Sequence, residues 1–115
     1  MGGLTPRRGE VWYADLEPVR GREQGGRRPV LVLSVDEFNA GLAELVMAVP
    51  FTTRQRPLPS RVSVEPPEAG LTRPSDIRCE DLRSLSRERF ESRLGQVSSA
   101  TMAHVEEILR ALLDL

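Results

Sequence analysis

The sequence predicts a mainly β domain with one C-terminal helix, an α+β fold built as a strongly curved sheet or small barrel that the helix closes. Three observations predict it. Short β-branched or aromatic runs are separated by turn residues at close intervals, the apolar runs are of strand length, and a helical apolar period occurs only near the C-terminus. At 115 residues the chain has the size of one domain, and it shows no internal repeat or dividing linker.

Residues 1–7, rich in Gly and ending in Pro6-Arg7, are expected to form a flexible tail, leaving 8–115 as the single folded domain. Glu10 to Leu16 reads as a first strand, closed by Pro18. Val19 to Arg28 is a loop punctuated by Gly21, Gly25 and Gly26. Pro29 to Ser34 is a continuous apolar run, the pattern of a strand covered on both faces. Val35 to Gly41 fits a helical turn, and Leu45 to Phe51 a second buried strand. Thr52 to Ser60 reads as an exposed loop leading to a short strand at Arg61 to Glu65, with a turn at Pro66, Pro67 and Gly70 after it. Ile77 to Leu85 supplies a further strand pair, Ser86 to Arg93 a short polar helix and Leu94 to Val97 a returning strand. Ser98 or Ser99 then caps an amphipathic helix whose inner face is Met102, Val105, Ile108, Leu109, Leu112 and Leu113, with Glu106 and Arg110 paired on its polar side.

Composition narrows the function classes. A hydrophobic fraction of 39% beside 29% charged residues supports a packed globule rather than a disordered chain. No apolar run approaches the ~20 residues needed to span a bilayer. The N-terminal residues lack an apolar signal core, so a cytoplasmic location is expected. Cys79 is the single cysteine and His104 the single histidine, which leaves little material for a zinc site or a Cys/His nucleophile. Cys79 is expected to be a small buried apolar residue.

The net charge of -1 conceals an uneven distribution: all 16 basic residues are Arg. Arg20, Arg22, Arg27 and Arg28 cluster against the single acid Glu23, and Arg54, Arg56 and Arg61 lie in a stretch without any acid. Guanidinium forks match phosphate oxygens bidentately, so two locally basic loops suit a polyanion. Ordinary solvation of loop arginines is the competing explanation. In Gly21-Arg22-Glu23-Gln24-Gly25-Gly26-Arg27-Arg28-Pro29 a carboxylate, an amide and guanidiniums surround a glycine pair directly before a buried strand. Pro29 restricts the backbone of Arg28 and opens the strand that anchors it, so Arg28 is held rather than waving.

Three blocks, Arg8-Gly9-Glu10-Val11-Trp12-Tyr13-Ala14-Asp15-Leu16, Gly21 through Ser34, and Val49-Pro50-Phe51-Thr52-Thr53, in this order and spacing, resemble the MazF/PemK endoribonuclease toxins. The resemblance runs from Arg8 to Leu115. It implies a homodimer of small SH3-like barrels of the CcdB/PemK type, metal-independent and cofactor-free cleavage of single-stranded mRNA, and inhibition by a cognate MazE-like antitoxin lying in the RNA groove. It places the family's catalytic arginine on Arg28, its catalytic threonine on Thr52 and its loop glutamate on Glu23. RNA contacts are then expected from Arg20, Gly21, Arg22, Gln24, Arg27, Thr53, Arg54 and Arg56. Asp81 stands where the family often has a Gln on the RNA-contacting surface, which bears on base preference rather than on the chemistry.

That chemistry can be argued from the residues present. Cleavage without a metal uses the 2'-hydroxyl as internal nucleophile and yields a 2',3'-cyclic phosphate and a 5'-hydroxyl. The enzyme must hold the hydroxyl in line, stabilise charge growing on the phosphoryl oxygens and assist proton movement. Arg28 suits the second task, since its proton is held too tightly for easy general acid work at neutral pH. Thr52 can donate a hydrogen bond to the same phosphate, and Glu23 can accept a proton or orient Arg28. A CcdB-like toxin that binds a protein such as gyrase, a metal nuclease using Asp15, Glu23, Glu80 and Asp81, and an SH3-like adaptor are the rivals. Trp12 and Tyr13 are expected in the core or a dimer interface.

Overall fold

The computed structural model describes residues 5–18 and 21–115. Among these residues seven strands form one curved antiparallel sheet: β1 (Glu10–Asp15), β2 (Arg27–Val32), β3 (Leu45–Thr52), β4 (Arg61–Val64), β5 (Ser75–Arg78), β6 (Arg83–Ser86) and β7 (Phe90–Gln96). The strand order is β4-β5-β3-β2-β1-β7, with β6 also on β3. A short helix α1 (Asp36–Asn39) links β2 to β3, and helix α2 (Ser99–Leu113) ends the chain. Mainly β with a C-terminal helix is therefore the observed architecture, and no helix among the described residues is long and apolar enough to cross a membrane.

Strand β3 is the hub. Its first half pairs with β6, Ala48 to Pro50 pair with β2, and Phe51 and Thr52 cross over to pair with Ile77 and Asp76 of β5. Alternate side chains of the central strands enter two separate apolar clusters, as the two-residue period of a strand dictates. Val11, Leu31, Val49 and Phe51 point into the cluster beneath α2, while Trp12, Ala14, Val30, Val32, Val46 and Ala48 point into the other. Both faces of β2 and β3 are thus covered, which is why these strands read as unbroken apolar runs. Trp12 is core as expected, stacked edge-on to Phe90 with ring centroids 6.3 Å apart.

Ser98 is the residue that caps α2, its Oγ accepting the Thr101 N–H at 3.1 Å. Met102, Val105, Ile108 and Leu109 pack on the sheet, whereas Leu112 and Leu113 are about half exposed, so the apolar stripe outruns the surface it covers. Glu106 pairs with Arg8 rather than with Arg110. The polar helix expected over Ser86 to Arg93 is absent. One turn at Arg87–Arg89 leads into β7, an edge strand on β1 whose side chains are mostly exposed, and that exposure explains its polar sequence. Of the expected N-terminal tail, Thr5 to Arg7 are described and are fastened: Pro6 is buried, its carbonyl accepts from Asn39 Nδ2 at 3.0 Å, and Arg7 pairs with Asp36.

Candidate active site

The loop between β1 and β2 returns the chain beside itself, the Leu16 N–H donating to the Gly26 carbonyl at 3.0 Å. Gly26 has φ +74°, a left-handed conformation that glycine adopts without the steric cost borne by other residues. Two positions later Arg28 faces Ala14 across the ladder. Its Nε donates to the Gly25 carbonyl at 2.6 Å, and its Nη1 to the carbonyl of Phe51 at 3.5 Å. Phe51 immediately precedes Thr52, so the β2–β3 pairing brings Arg28 to the C-terminal end of β3.

Arg28 and Thr52 wall one open cleft of about 470 Å³, together with Tyr13, Arg27, Pro29, Phe51, Thr53, Thr72, Arg73 and Leu94. The far wall depends on a close backbone approach. A Cβ on Gly70 would stand 2.1 Å from the Leu94 carbonyl oxygen, so glycine there lets β7 lie against the turn that carries Gly70 and Leu71 into the cleft. A second, smaller cleft of about 200 Å³ meets the first at Thr52 and is lined by Arg22, Gln24, Arg54, Arg56, Arg61 and Arg78. The two basic stretches of the sequence therefore converge on one groove through the fold.

Among the described residues no carboxylate pairs with Arg28. Burial lowers its proton affinity below that of free arginine, the charges of Arg78 and Arg83 act in the same direction, and Tyr13 opposes them. A half-buried cation crowded by like charges has strong reason to meet an anion. Arg27, by contrast, is exposed and occupied by Glu91 at 2.9 Å and Asp15 at 3.8 Å, with its pKa raised first by the hydrogen bond to Glu91. Thr52 is buried, and its Oγ1 accepts the Arg54 N–H at 3.2 Å.

The other expected site residues are spread over the groove and its surroundings. Arg22, Gln24, Arg54 and Arg56 line the second cleft, and Thr53 the first. Gly21 is exposed on the loop, and Arg20 lies outside the described residues. Glu23 is exposed and outside the walls of both clefts, and the carbonyls of Gly25 and Phe51 accept from Arg28. Asp81 is outside the walls of both clefts. It is 9% exposed, ion-paired with Arg83 at 2.6 Å, and accepts the Gln24 N–H at 2.9 Å. Glu80 is likewise engaged, since Ser60, Arg61 and Arg78 all donate to it.

Sequence reasoning missed Tyr13 and Arg73 as cleft residues and Asp76 as the buried anchor of the second basic loop. Asp76 accepts from Arg56 N at 2.8 Å, Gln55 Nε2 at 3.2 Å and Arg61 Nη1 at 3.2 Å. Only the β3–β5 register, which sets Asp76 opposite Thr52, puts it there. Cys79 is buried as expected, and burial pushes its thiol up to about 12, which makes it unreactive as a nucleophile at neutral pH. Among the described residues no group of three or more His, Cys, Asp or Glu is placed to hold a metal ion.

Residues 7–113 match the family model described as the PemK-like, MazF-like toxin of type II toxin-antitoxin systems. The chain belongs to this family. This PemK/MazF-like chain is 36% identical over 114 residues to the endoribonuclease MazF9 of Mycobacterium tuberculosis, covering 95% of itself and 97% of that relative. Its fold is similar to the crystal structure of MazF from Deinococcus radiodurans, with TM-score 0.87, 32% identity, and coverage of 98% of this chain and 100% of that one. A chain of the MazE-MazF crystal structure from the same organism matches with TM-score 0.80 at 32% identity, over 98% of this chain and 99% of that one.

Proposed function

We propose that this PemK/MazF-like toxin is an endoribonuclease that cuts single-stranded mRNA without a metal, by attack of the 2'-hydroxyl on the adjacent phosphate. The observation that carries the reading is that Arg28, with no carboxylate partner among the described residues, shares a cleft with Thr52 where two arginine-rich loops converge. The endoribonuclease name of the 36% identical relative supports it independently.

In the proposed reaction the substrate backbone lies along the groove, held by Arg22, Arg54 and Arg56. The bond from the 2'-oxygen to phosphorus forms as the bond to the 5'-oxygen breaks. Arg28 stabilises the charge on the phosphoryl oxygens, aimed by the Gly25 and Phe51 carbonyls, and Thr52 adds a hydroxyl donor. Glu23 retains the proposed role of accepting the 2'-hydroxyl proton, which requires its loop to carry the exposed carboxylate to the substrate. The proton taken from the 2'-hydroxyl is returned to the departing 5'-oxygen through the carboxyl group or water, while Arg28 stays protonated throughout. A homodimer in the cytoplasm is the proposed working form, and a MazE-like antitoxin laid over the groove the proposed inhibitor, supported by the family and by the MazE-MazF structure.

Mapping fragment ends from a long single-stranded RNA in EDTA tests this. Expected are 5'-hydroxyl and 2',3'-cyclic phosphate termini at a limited set of sites. Fragments bearing 5'-phosphates, or activity lost to EDTA, would replace the mechanism with a metal-dependent one; an intact RNA would favour the protein-binding, CcdB-like alternative.

A further inference from the structure

The segment Gly21 to Gly26 carries no apolar side chain that could anchor it, and Gly21, Arg22 and Glu23 are exposed. Polar contacts hold it instead: at its end Glu17 accepts the Gly26 N–H at 2.6 Å, and at its middle three contacts converge on Gln24. The Gln24 N–H donates to Asp81 Oδ2 at 2.9 Å, its carbonyl accepts from Arg83 Nη2 at 2.7 Å, and its Oε1 accepts from Arg78 Nη1 at 2.8 Å. Asp81 ties these donors together, 2.6 Å from Arg83 and 3.8 Å from Arg78. The three side chains are only 8%, 13% and 15% exposed. The residue after Gln24 is Gly25, whose carbonyl receives Arg28 Nε.

We propose that Asp81, acting with Arg83, is a positioning residue for Arg28: it clamps Gln24 so that the neighbouring Gly25 carbonyl aims the guanidinium into the cleft. The inference rests on the endoribonuclease reading of that cleft and adds to it a residue that touches no substrate. Two features favour a positioning role over direct RNA contact or bulk stabilisation. A buried carboxylate already engaged by Arg83 and the Gln24 N–H has little left to offer RNA, and its charge would repel phosphate. The Arg83 Nε, moreover, is buried with no hydrogen-bond partner among the described residues. Such an unmet donor costs roughly 1–3 kcal/mol, a cost that a pair selected for stability alone would avoid. The arginine instead directs one nitrogen, Nη2, to both Asp81 and the Gln24 carbonyl, which fixes the loop rather than satisfying the fork.

The test compares wild type with Asp81→Ala, Asp81→Asn and Arg83→Met. Each is checked for folding by circular dichroism, then read by hydrogen exchange of the 21–26 amides without RNA and by cleavage kinetics on a labelled single-stranded RNA. Misplacing a catalytic group by about 1 Å can cost ~100-fold, so Asp81→Ala is expected to lower kcat by about 10- to 100-fold while KM moves less than about threefold. Loop exchange should rise about tenfold in the same variant. Asp81→Asn, which keeps an oxygen for the Gln24 N–H, should recover part of both readouts, and Arg83→Met should reproduce the Asp81→Ala result if the latter fails to fold. Unchanged loop exchange in a folded Asp81→Ala or Arg83→Met protein overturns the clamp, and a loss carried by KM alone assigns Asp81 to substrate binding and overturns it too. Exchange is read without substrate, so a wild-type protein that cuts no RNA defeats the functional reading while the clamp is still decided by its own measurement.

Discussion

Arg28 and Arg61 lie in the same groove region and belong to the same two basic stretches, yet the fold treats them oppositely. The Arg61 side chain is 8% exposed and paired with Asp76 at 3.2 Å and Glu80 at 2.8 Å. Among the described residues Arg28 meets backbone carbonyls only, and it lines the open cleft. A buried guanidinium matched by carboxylates is committed to architecture, because removing its partners leaves a bare charge in a poorly solvated place. One held by carbonyls keeps its net charge available to a phosphate. The chemistry of an arginine is thus decided by what meets it, and the contrast can be pressed experimentally.

The largest effect is expected at Arg28. Arg28→Ala should reduce RNA cleavage by about 100- to 1,000-fold, in line with the loss of one preorganised oxyanion donor, with thermal unfolding within a few degrees of wild type. Cleavage at the wild-type rate by the folded variant would remove Arg28 from the site. The mirror-image change is Asp76→Ala, which strips Arg61 and the Arg54–Arg56 loop of a shared buried anchor. Chemical denaturation should show a loss on the order of 3 kcal/mol, the scale for breaking a buried pair from one side. A stability close to wild type would show that Glu80 alone satisfies Arg61.

Thr52→Val retains shape and removes a hydroxyl. It should lower kcat by roughly tenfold, the scale of one hydrogen bond weighted toward the transition state, and single-turnover kinetics would reveal it. The smallest change is expected at exposed Arg54. Arg54→Ala should weaken RNA binding similarly for all sequences and make the slope of log affinity against log salt shallower by about 0.7, as for one lost contact to a single strand. An unaltered slope would place Arg54 off the phosphate path.

Much of the fold is readable along the chain. The two-sided strands β2 and β3 show themselves as unbroken apolar runs because both their faces are packed, and α2 shows itself by helical period and a serine cap. Strand β7 does not, since an edge strand with solvent on its side chains carries the composition of a polar helix. In the site, Arg28 is legible because Pro29 and the glycines around it constrain its backbone locally. Tyr13, expected in the core or at a dimer interface, does not enter the core. Its neighbour Trp12 does enter the core, and strand alternation turns Tyr13 the other way, to the cleft.

The sequence by itself determined the buried strands, the terminal helix, the family and the constrained backbone around Arg28, because each is written in neighbouring residues or in a short spacing. Only the tertiary structure decided which charges pair. Gln24 meets Asp81, and Thr52 comes to lie across from Asp76, through strand register and sheet curvature over separations that no local pattern encodes. Charge pairing acts over a few ångströms of space, so it becomes legible only once the backbone has brought distant segments that close.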